Sequence, residues 1–194
     1  MTSFVLATAN EHKATEMRSL LGRLGFEVVE RPEDVPEVEE TEDSLEGNAL
    51  LKARALVEVT GCAAIADDTG LFVDSLDGAP GVLSARYSSE RATYESNVAK
   101  LLHEMKEVPD SKRSASFRTV ICVAFPDGSS TMVEGLLRGT ITRSPRGENG
   151  FGYDPVFAVE HDGPTLAEMT AEEKNSMSHR AIALLALAQS LGAR

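Results

Sequence analysis

Apolar residues recur along this chain at two spacings, one of about four residues and one continuous. At the wider spacing, Ala14, Met17, Leu20, Leu21 and Leu24 fall on one stripe and predict a helix over 11–24, with Gly22 and Gly25 near its end. Leu45, Ala49, Ala53, Leu56 and Val59 predict a second helix over 44–60, stopped by Gly61. Val98, Leu101, Leu102 and Met105 predict a third over about 92–106. Thr170-Ala171-Glu172-Glu173 reads as a capping box ahead of a terminal helix over 178–191, apolar nearly all round and so expected to be largely buried. Short continuous apolar runs predict strands at 3–8, 26–30, 63–70, 117–125 and 153–159, with an extended piece at 71–73. Pro126-Asp127-Gly128 reads as a hairpin turn into 130–142. The acidic stretch 31–43 with Pro32 and Pro36, the segment 74–90 and the glycine-rich 144–152 read as loops. Strands alternating with helices and followed by a hairpin predict an α/β fold with a mixed sheet. No repeat or linker divides it, so 1–194 is expected to be one domain.

The run Ala63-Ala64-Ile65-Ala66-Asp67-Asp68-Thr69-Gly70 stands out, because a small apolar strand ends in two carboxylates, a hydroxyl and a glycine. The carboxyl ends of strands are where open α/β sheets bind ligands. Side chains alternate along a strand, so Asp67 and Asp68 should face opposite sides if the strand reaches them. An ordinary acidic turn has the same composition.

Composition narrows the choice of partners. The formal net charge of −12 argues against binding DNA or RNA in bulk. It leaves room for a small phosphorylated ligand, since a few lysines, a helix N-terminus and a divalent cation can outweigh the overall sign. No apolar run approaches the ~20 residues of a membrane helix, and Ser3-Phe4-Val5-Leu6-Ala7 lacks the form of a signal peptide. Cys62 and Cys122 are isolated in apolar contexts and read as buried thiols of a reducing compartment, which points to the cytoplasm.

Four stretches carry candidate chemistry. Thr8-Ala9-Asn10-Glu11-His12-Lys13 turns from a strand into a helix, a place suited to anions, although taken alone it reads first as a cap at Asn10 with Lys13 solvated. Lys52 lies in the middle of an apolar helical stripe, where it must snorkel outward or meet an anion. Glu39-Glu40-Thr41, just upstream, is either surface acidity or a source of one oxygen ligand that joins Asp68 on Mg²⁺. Gly147-Glu148-Asn149-Gly150-Phe151-Gly152-Tyr153-Asp154-Pro155 allows close backbone approach, leaves Phe151 to stack on a planar ring and offers Asp154 to ring N–H groups; as a bare pattern it is also a hairpin or bulge. Lys174 and His179-Arg180 flank the terminal helix, and His179 taken alone reads as a cap or core residue. The phosphate loop GxxxxGK[ST], HExxH, GxSxG and paired CxxC motifs are absent.

Taken together and in order, TANEHK at 8–13, EET at 39–41, NALLKA at 48–53, ADDTG at 66–70, GAPGVLSARYS at 78–88, GFGYDP at 150–155, and EEK with SHR at 172–180 resemble the inosine triphosphate pyrophosphatase family, the house-cleaning XTP/dITP diphosphatases. The resemblance covers nearly the whole chain. It implies an α/β fold with a long twisted mixed sheet flanked by helices, two lobes with a central cleft, and a homodimer. It also implies Mg²⁺-dependent hydrolysis of ITP, dITP or XTP between the α- and β-phosphates, to the monophosphate and pyrophosphate. Carried over residue by residue, Thr8, Ala9, Asn10, Glu11, His12 and Lys13 would hold the triphosphate and Lys52 would contact its phosphates. Glu40 and Asp68 would bind Mg²⁺, with Asp68 also the base for the attacking water. Thr69 would touch substrate, Phe151, Gly152, Tyr153 and Asp154 would line the base, and Lys174, His179 and Arg180 would complete the purine pocket. Two positions depart from the family pattern: Thr69 stands where Ser is common, and Gly47 where an acidic residue usually precedes Asn-Ala. A modest effect on rate or Mg²⁺ affinity is expected from Gly47. A related pyrophosphatase of modified nucleotides and a nucleotide sensor without turnover are the competing readings.

Overall fold

The computed structural model describes residues 3–32, 35 and 38–192; positions 33, 34, 36 and 37 of the expected acidic loop lie outside the described residues. The elements run β1 (Ser3–Leu6), α1 (Glu11–Arg23), β2 (Glu27–Val29), α2 (Leu45–Thr60), β3 (Ala64–Val73), β4 (Pro80–Gly81), α3 (Tyr94–Glu104), β5 (Ser114–Ala124), β6 (Ser130–Ile141), β7 (Phe157–Ala158), α4 (Ala171–Met177) and α5 (His179–Gly192). Hydrogen-bonded neighbours follow the order β2-β1-β3-β5-β6-β7, with β4 added on β3. β1 is parallel to β2 and to β3, with Phe4 opposite Val28 and Leu6 opposite Ile65. β4 on β3 and β7 on β6 are antiparallel, so the sheet is mixed, as the alternation of elements predicts.

Local chemistry explains the helix ends. Asn10 caps α1 by accepting from the backbone N–H groups of His12 and Lys13. Ser44 caps α2, and Gly61 closes it in the left-handed conformation at φ 65°. Thr170 and Glu173 form the expected capping box on α4.

Several expectations need correction. The strand does not end at Asp67-Asp68-Thr69-Gly70; β3 runs unbroken through them to Val73. Gly70 works here as a contact point, since a Cβ would lie 2.6 Å from the carbonyl oxygen of Gly81 in β4. The strand expected over 153–159 is mostly a 3-10 turn at Asp154–Val156, leaving two residues to pair with β6. Val59 is 61% exposed and falls off the buried stripe of α2. α5 is not buried all round, since Ile182 and Leu185 face solvent. Cys122 is buried as expected, but Cys62 is exposed in the turn after α2.

The chain forms two compact units. The first comprises residues up to Asp68, 119–135 and those from Arg180 onward. Its core joins Phe4 and Leu6 of β1, Met17, Leu20 and Leu21 of α1, Ile65 of β3, Ile121 and Val123 of β5, and Leu184 and Leu187 of α5. The second comprises 69–118 and 136–179. Leu71, Val73, Leu101, Met105, Phe117, Val156, Phe157 and Leu166 form its core. A buried cation ties that unit together. Arg113, 3% exposed, donates from Nε to the Ile141 carbonyl (2.7 Å), from one terminal nitrogen to Met105 (2.7 Å), and from the other to Thr142 (2.9 Å). It thereby holds the end of α3 to the end of β6, from which the glycine-rich loop departs.

Two outcomes follow. Lys cannot reproduce the guanidinium fork, so Arg113→Lys should lower the unfolding free energy in urea by about 2 kcal/mol, the cost of buried carbonyls left unsatisfied. Burial pushes the Cys122 thiol up to about 11, Arg54 opposing it weakly. Because the thiolate is the reactive form, iodoacetamide at pH 8 should alkylate Cys62 and leave Cys122 unmodified until the protein is unfolded, as read by peptide mass spectrometry.

Candidate active site

In the first unit the charge is organised around two adjacent carboxylates buried in β3. Asp67 and Asp68 are 2% and 4% exposed, and alternation along the strand gives them different partners. Asp67 meets Lys13 Nζ of α1 at 3.4 Å and a terminal nitrogen of Arg180, from α5, at 3.1 Å. The other terminal nitrogen of Arg180 is bound by Glu16 of α1. Burial would raise the Asp67 carboxyl, but Lys13 and Arg180 outweigh it and hold the group well below the usual carboxylate range.

Asp68 belongs to a different set. Lys52 Nζ, on the buried face of α2, lies 2.8 Å from Asp68 Oδ1 and 2.9 Å from Glu40 Oε1. Burial, together with the neighbouring Glu40, raises the Asp68 carboxyl above its ordinary value against the pull of Lys52 and Lys13. Burial alone would raise Glu40 as well; there Lys52 wins and the group is lowered. Lys52 is raised despite its burial, because Asp68 and Glu40 stabilise the ammonium. A carboxylate raised in this way, beside a second one and a lysine, can accept a proton and help to hold a hard cation. Among the described residues no group of three or more His, Cys, Asp or Glu side chains is placed to hold a metal. Two carboxylates are what Mg²⁺ takes when substrate phosphates and waters supply its other oxygens, so Glu40 and Asp68 fit such an ion.

The Thr8–Lys13 turn lies at the N-terminus of α1. Thr8 Oγ1 accepts from the Asn10 backbone N–H at 3.2 Å, while Ala9, Glu11 and His12 are exposed. Thr8, Ala9 and Glu11 line a recess of about 290 Å³ together with Arg18 and Arg31. The Asn10 cap occupies the N–H groups of His12 and Lys13, so both readings of this stretch describe part of it: Asn10 is a cap, but Lys13 is paired with Asp67 rather than solvated.

In the second unit Asp154 is 2% exposed, and its Oδ2 accepts from the Phe151 backbone N–H (2.9 Å) and from Lys174 Nζ of α4. Lys174 Nζ also stands 4.8 Å from the centre of the Phe151 ring, and Tyr94 of α3 meets that ring at 5.9 Å. Gly150 is required: at φ 72° a Cβ would lie 2.1 Å from Asp154 Oδ2. Gly152 is half-buried at φ 65°. Tyr153 points into the core and donates from its hydroxyl to the Ser84 carbonyl at 2.9 Å. His179 is buried and stacks on Phe117, 4.7 Å between centroids and 16° between planes. Thr69 is half-buried in β3. Of the residues expected around a purine, Phe151, Asp154 and Lys174 are brought together here, while Arg180 belongs to the first unit.

Sequence reasoning missed Glu16 and Asn48. Asn48 is fully buried and donates from Nδ2 to Asp68 Oδ2 at 3.4 Å. Its position between Leu45 and Lys52 on the buried stripe of α2 was the available signal. The space beside Gly47 is taken by Glu42, whose Cβ would lie 2.7 Å from a Cβ at position 47. A glutamate restored there would therefore have to displace Glu42.

The model of the Ham1 family matches residues 4–190. A protein of Geobacter sulfurreducens named dITP/XTP pyrophosphatase is 48% identical over 99% of this chain and 98% of its own. One of the same name from Salmonella paratyphi A is 47% identical over 98% of each. Among solved structures, a HAM1 protein from Coxiella burnetii superposes with a TM-score of 0.89 at 41% identity, covering 100% of both chains. The Staphylococcus aureus Ham1 protein gives 0.86 at 35% identity and 99% of both.

The Asp154–Lys174 pair makes a direct prediction about the second unit. Lys174→Met strands a buried carboxylate and should cost about 3–5 kcal/mol in urea unfolding. The double variant Asp154→Asn/Lys174→Met removes the stranded charge and should recover a large part of that loss.

Proposed function

Because the chain belongs to the Ham1 family, we propose that it is a nucleoside triphosphate pyrophosphatase acting on deaminated purine nucleotides. Its substrates are dITP, ITP and XTP, each cleaved between the α- and β-phosphates to the monophosphate and pyrophosphate. The observation that carries this reading is Lys52 Nζ held between Glu40 Oε1 at 2.9 Å and Asp68 Oδ1 at 2.8 Å. The names of the curated relatives support the substrate class.

Each unit contributes its own chemistry. In the first, Lys52 pairs with the buried Asp68 and the half-buried Glu40. A triphosphate competes for the same ammonium and leaves Asp68 Oδ1 able to accept a proton from the attacking water. Lys13, in the first turn of α1, stabilises charge that develops on the phosphates as the bond to the leaving group breaks. Glu40 and Asp68 would hold Mg²⁺, whose charge would offset that of the triphosphate.

In the second unit Phe151 stacks on the purine, with Lys174 at its ring and Asp154 available to ring N–H groups. Lys174 and His179 are the donors for a carbonyl at purine C6. Adenine carries an amino group there and would leave a buried donor unpaired, at about 1–3 kcal/mol. The reading includes a homodimer in the cytoplasm and no nucleic-acid or membrane partner.

The test follows pyrophosphate, orthophosphate and monophosphate from dITP, XTP, ATP, GTP and dTTP in the presence of Mg²⁺. Pyrophosphate and monophosphate from dITP and XTP, with little from the other three, are expected. Orthophosphate as the only inorganic product would overturn the cleavage site, and tight dITP binding without turnover would favour a sensor. Asp68→Asn should lower kcat by about 10²- to 10⁴-fold, the usual contribution of a general base, while dITP still binds.

A further inference from the structure

α2 buries a second polar side chain one turn before Lys52. Asn48 is 0% exposed, and its carboxamide bonds to Asp68 and to the loop that carries Glu40. Its Oδ1 accepts from the Glu42 backbone N–H at 3.0 Å, and its Nδ2 donates to the Glu42 carbonyl at 3.2 Å. This two-point clasp imitates the pairing of two strands and fixes the chain two residues beyond Glu40. The same Nδ2 donates to Asp68 Oδ2 at 3.4 Å, while Lys52 takes Asp68 Oδ1. Residues four apart share one helix face, so Asn48 and Lys52 reach the two oxygens of Asp68 from a single rigid element. Gly47 completes the arrangement. Glu42 packs its Cβ and Cγ against the helix where a side chain at 47 would stand, which lets the Glu42 backbone come within reach of Asn48.

A buried amide is costly unless its bonds are made, and a leucine would fill the same place in this apolar stripe. We propose that Asn48 is a positioning residue, which sets the orientation of Asp68 and its spacing from Glu40 before substrate arrives. The proposal rests on the pyrophosphatase reading of this site. Asn48 does not touch the substrate; it acts through Asp68 and through the backbone of the Glu40 loop. A carboxylate that turns away from the attacking water should lower turnover while leaving nucleotide binding to Lys13 and Lys52.

Asn48→Asp keeps the acceptor for the Glu42 N–H and loses both donors, and Asn48→Ser shortens the side chain so that Asp68 is out of reach. For both variants, pyrophosphate release from dITP with Mg²⁺, the metal-free Kd for dITP and thermal unfolding are measured beside wild type. A misplacement of this kind costs about 30- to 100-fold in kcat, with KM and metal-free Kd staying within about threefold. A folded variant with wild-type kcat overturns the proposal. So does a loss of metal-free dITP binding that parallels the loss of kcat, because it would mark Asn48 as a structural residue only. If Asn48→Asp does not fold, Asn48→Ser carries the same decision. Wild-type protein that releases no pyrophosphate from dITP refutes the pyrophosphatase reading instead. Wild-type turnover with unaffected variants refutes the positioning role alone.

Discussion

Two adjacent carboxylates buried in the middle of a strand are the constraint to which the first unit answers. An uncompensated buried charge costs several kcal/mol, and two neighbours would also repel each other. The strand separates them by pointing them to opposite sides, and each side then supplies cations. Lys13 and Arg180 serve Asp67, and Lys52 serves Asp68. The lysines and the arginine come from α1, α2 and α5, so the placement of three helices is tied to the charge of one dipeptide. The outcome is asymmetric. Asp67 meets Lys13 and Arg180 and is lowered, whereas burial and the neighbouring Glu40 raise Asp68 against the pull of Lys52 and Lys13. The two neighbours are thus shifted in opposite directions, because the cations beside Asp67 outweigh its burial and those beside Asp68 do not.

The second unit solves the same problem once. Asp154 and Lys174 neutralise each other in the interior, and the backbone N–H of Phe151 supplies a further bond to the carboxylate. The Phe151 ring is then held by a lysine whose own position is fixed by that carboxylate. Arg113, by contrast, is buried against carbonyl oxygens, which use the directional donors of its guanidinium. Arg113 and the Asp154–Lys174 pair thus fix segments of chain where apolar residues would only fill space.

Some of this was legible in the order of residues. Apolar periodicity gave α1, α2 and α3 and most of α5, because a helix that packs on a core must repeat its apolar face every three or four residues. Glycine and capping residues marked where the helices stop. Lys52 was visible as a charge inside an apolar stripe, and Asp67 and Asp68 as charges after a buried strand. Asn48 lay on the same stripe, but a neutral amide breaks an apolar pattern less sharply than a lysine does. Glu16 gave no signal, since an acidic residue on an amphipathic helix is ordinary until its partner is known to be Arg180, more than 160 residues away in the chain.

The sequence by itself therefore determined the fold class, the helices and the set of charged residues from which a site can be built, since those depend on local spacing and on burial. Tertiary structure decided which charge meets which. The run Asp67-Asp68-Thr69-Gly70 reads either as the end of a strand or as a turn; in the structure β3 continues through it, with β4 against Gly70 and three cations at the carboxylates. Tyr153 is expected at the site from its neighbours in sequence, and only the folded chain shows its hydroxyl bonded to the Ser84 carbonyl. Pairings of this kind join positions far apart in the chain, and their energies depend on distances of a few ångströms, which no local pattern encodes.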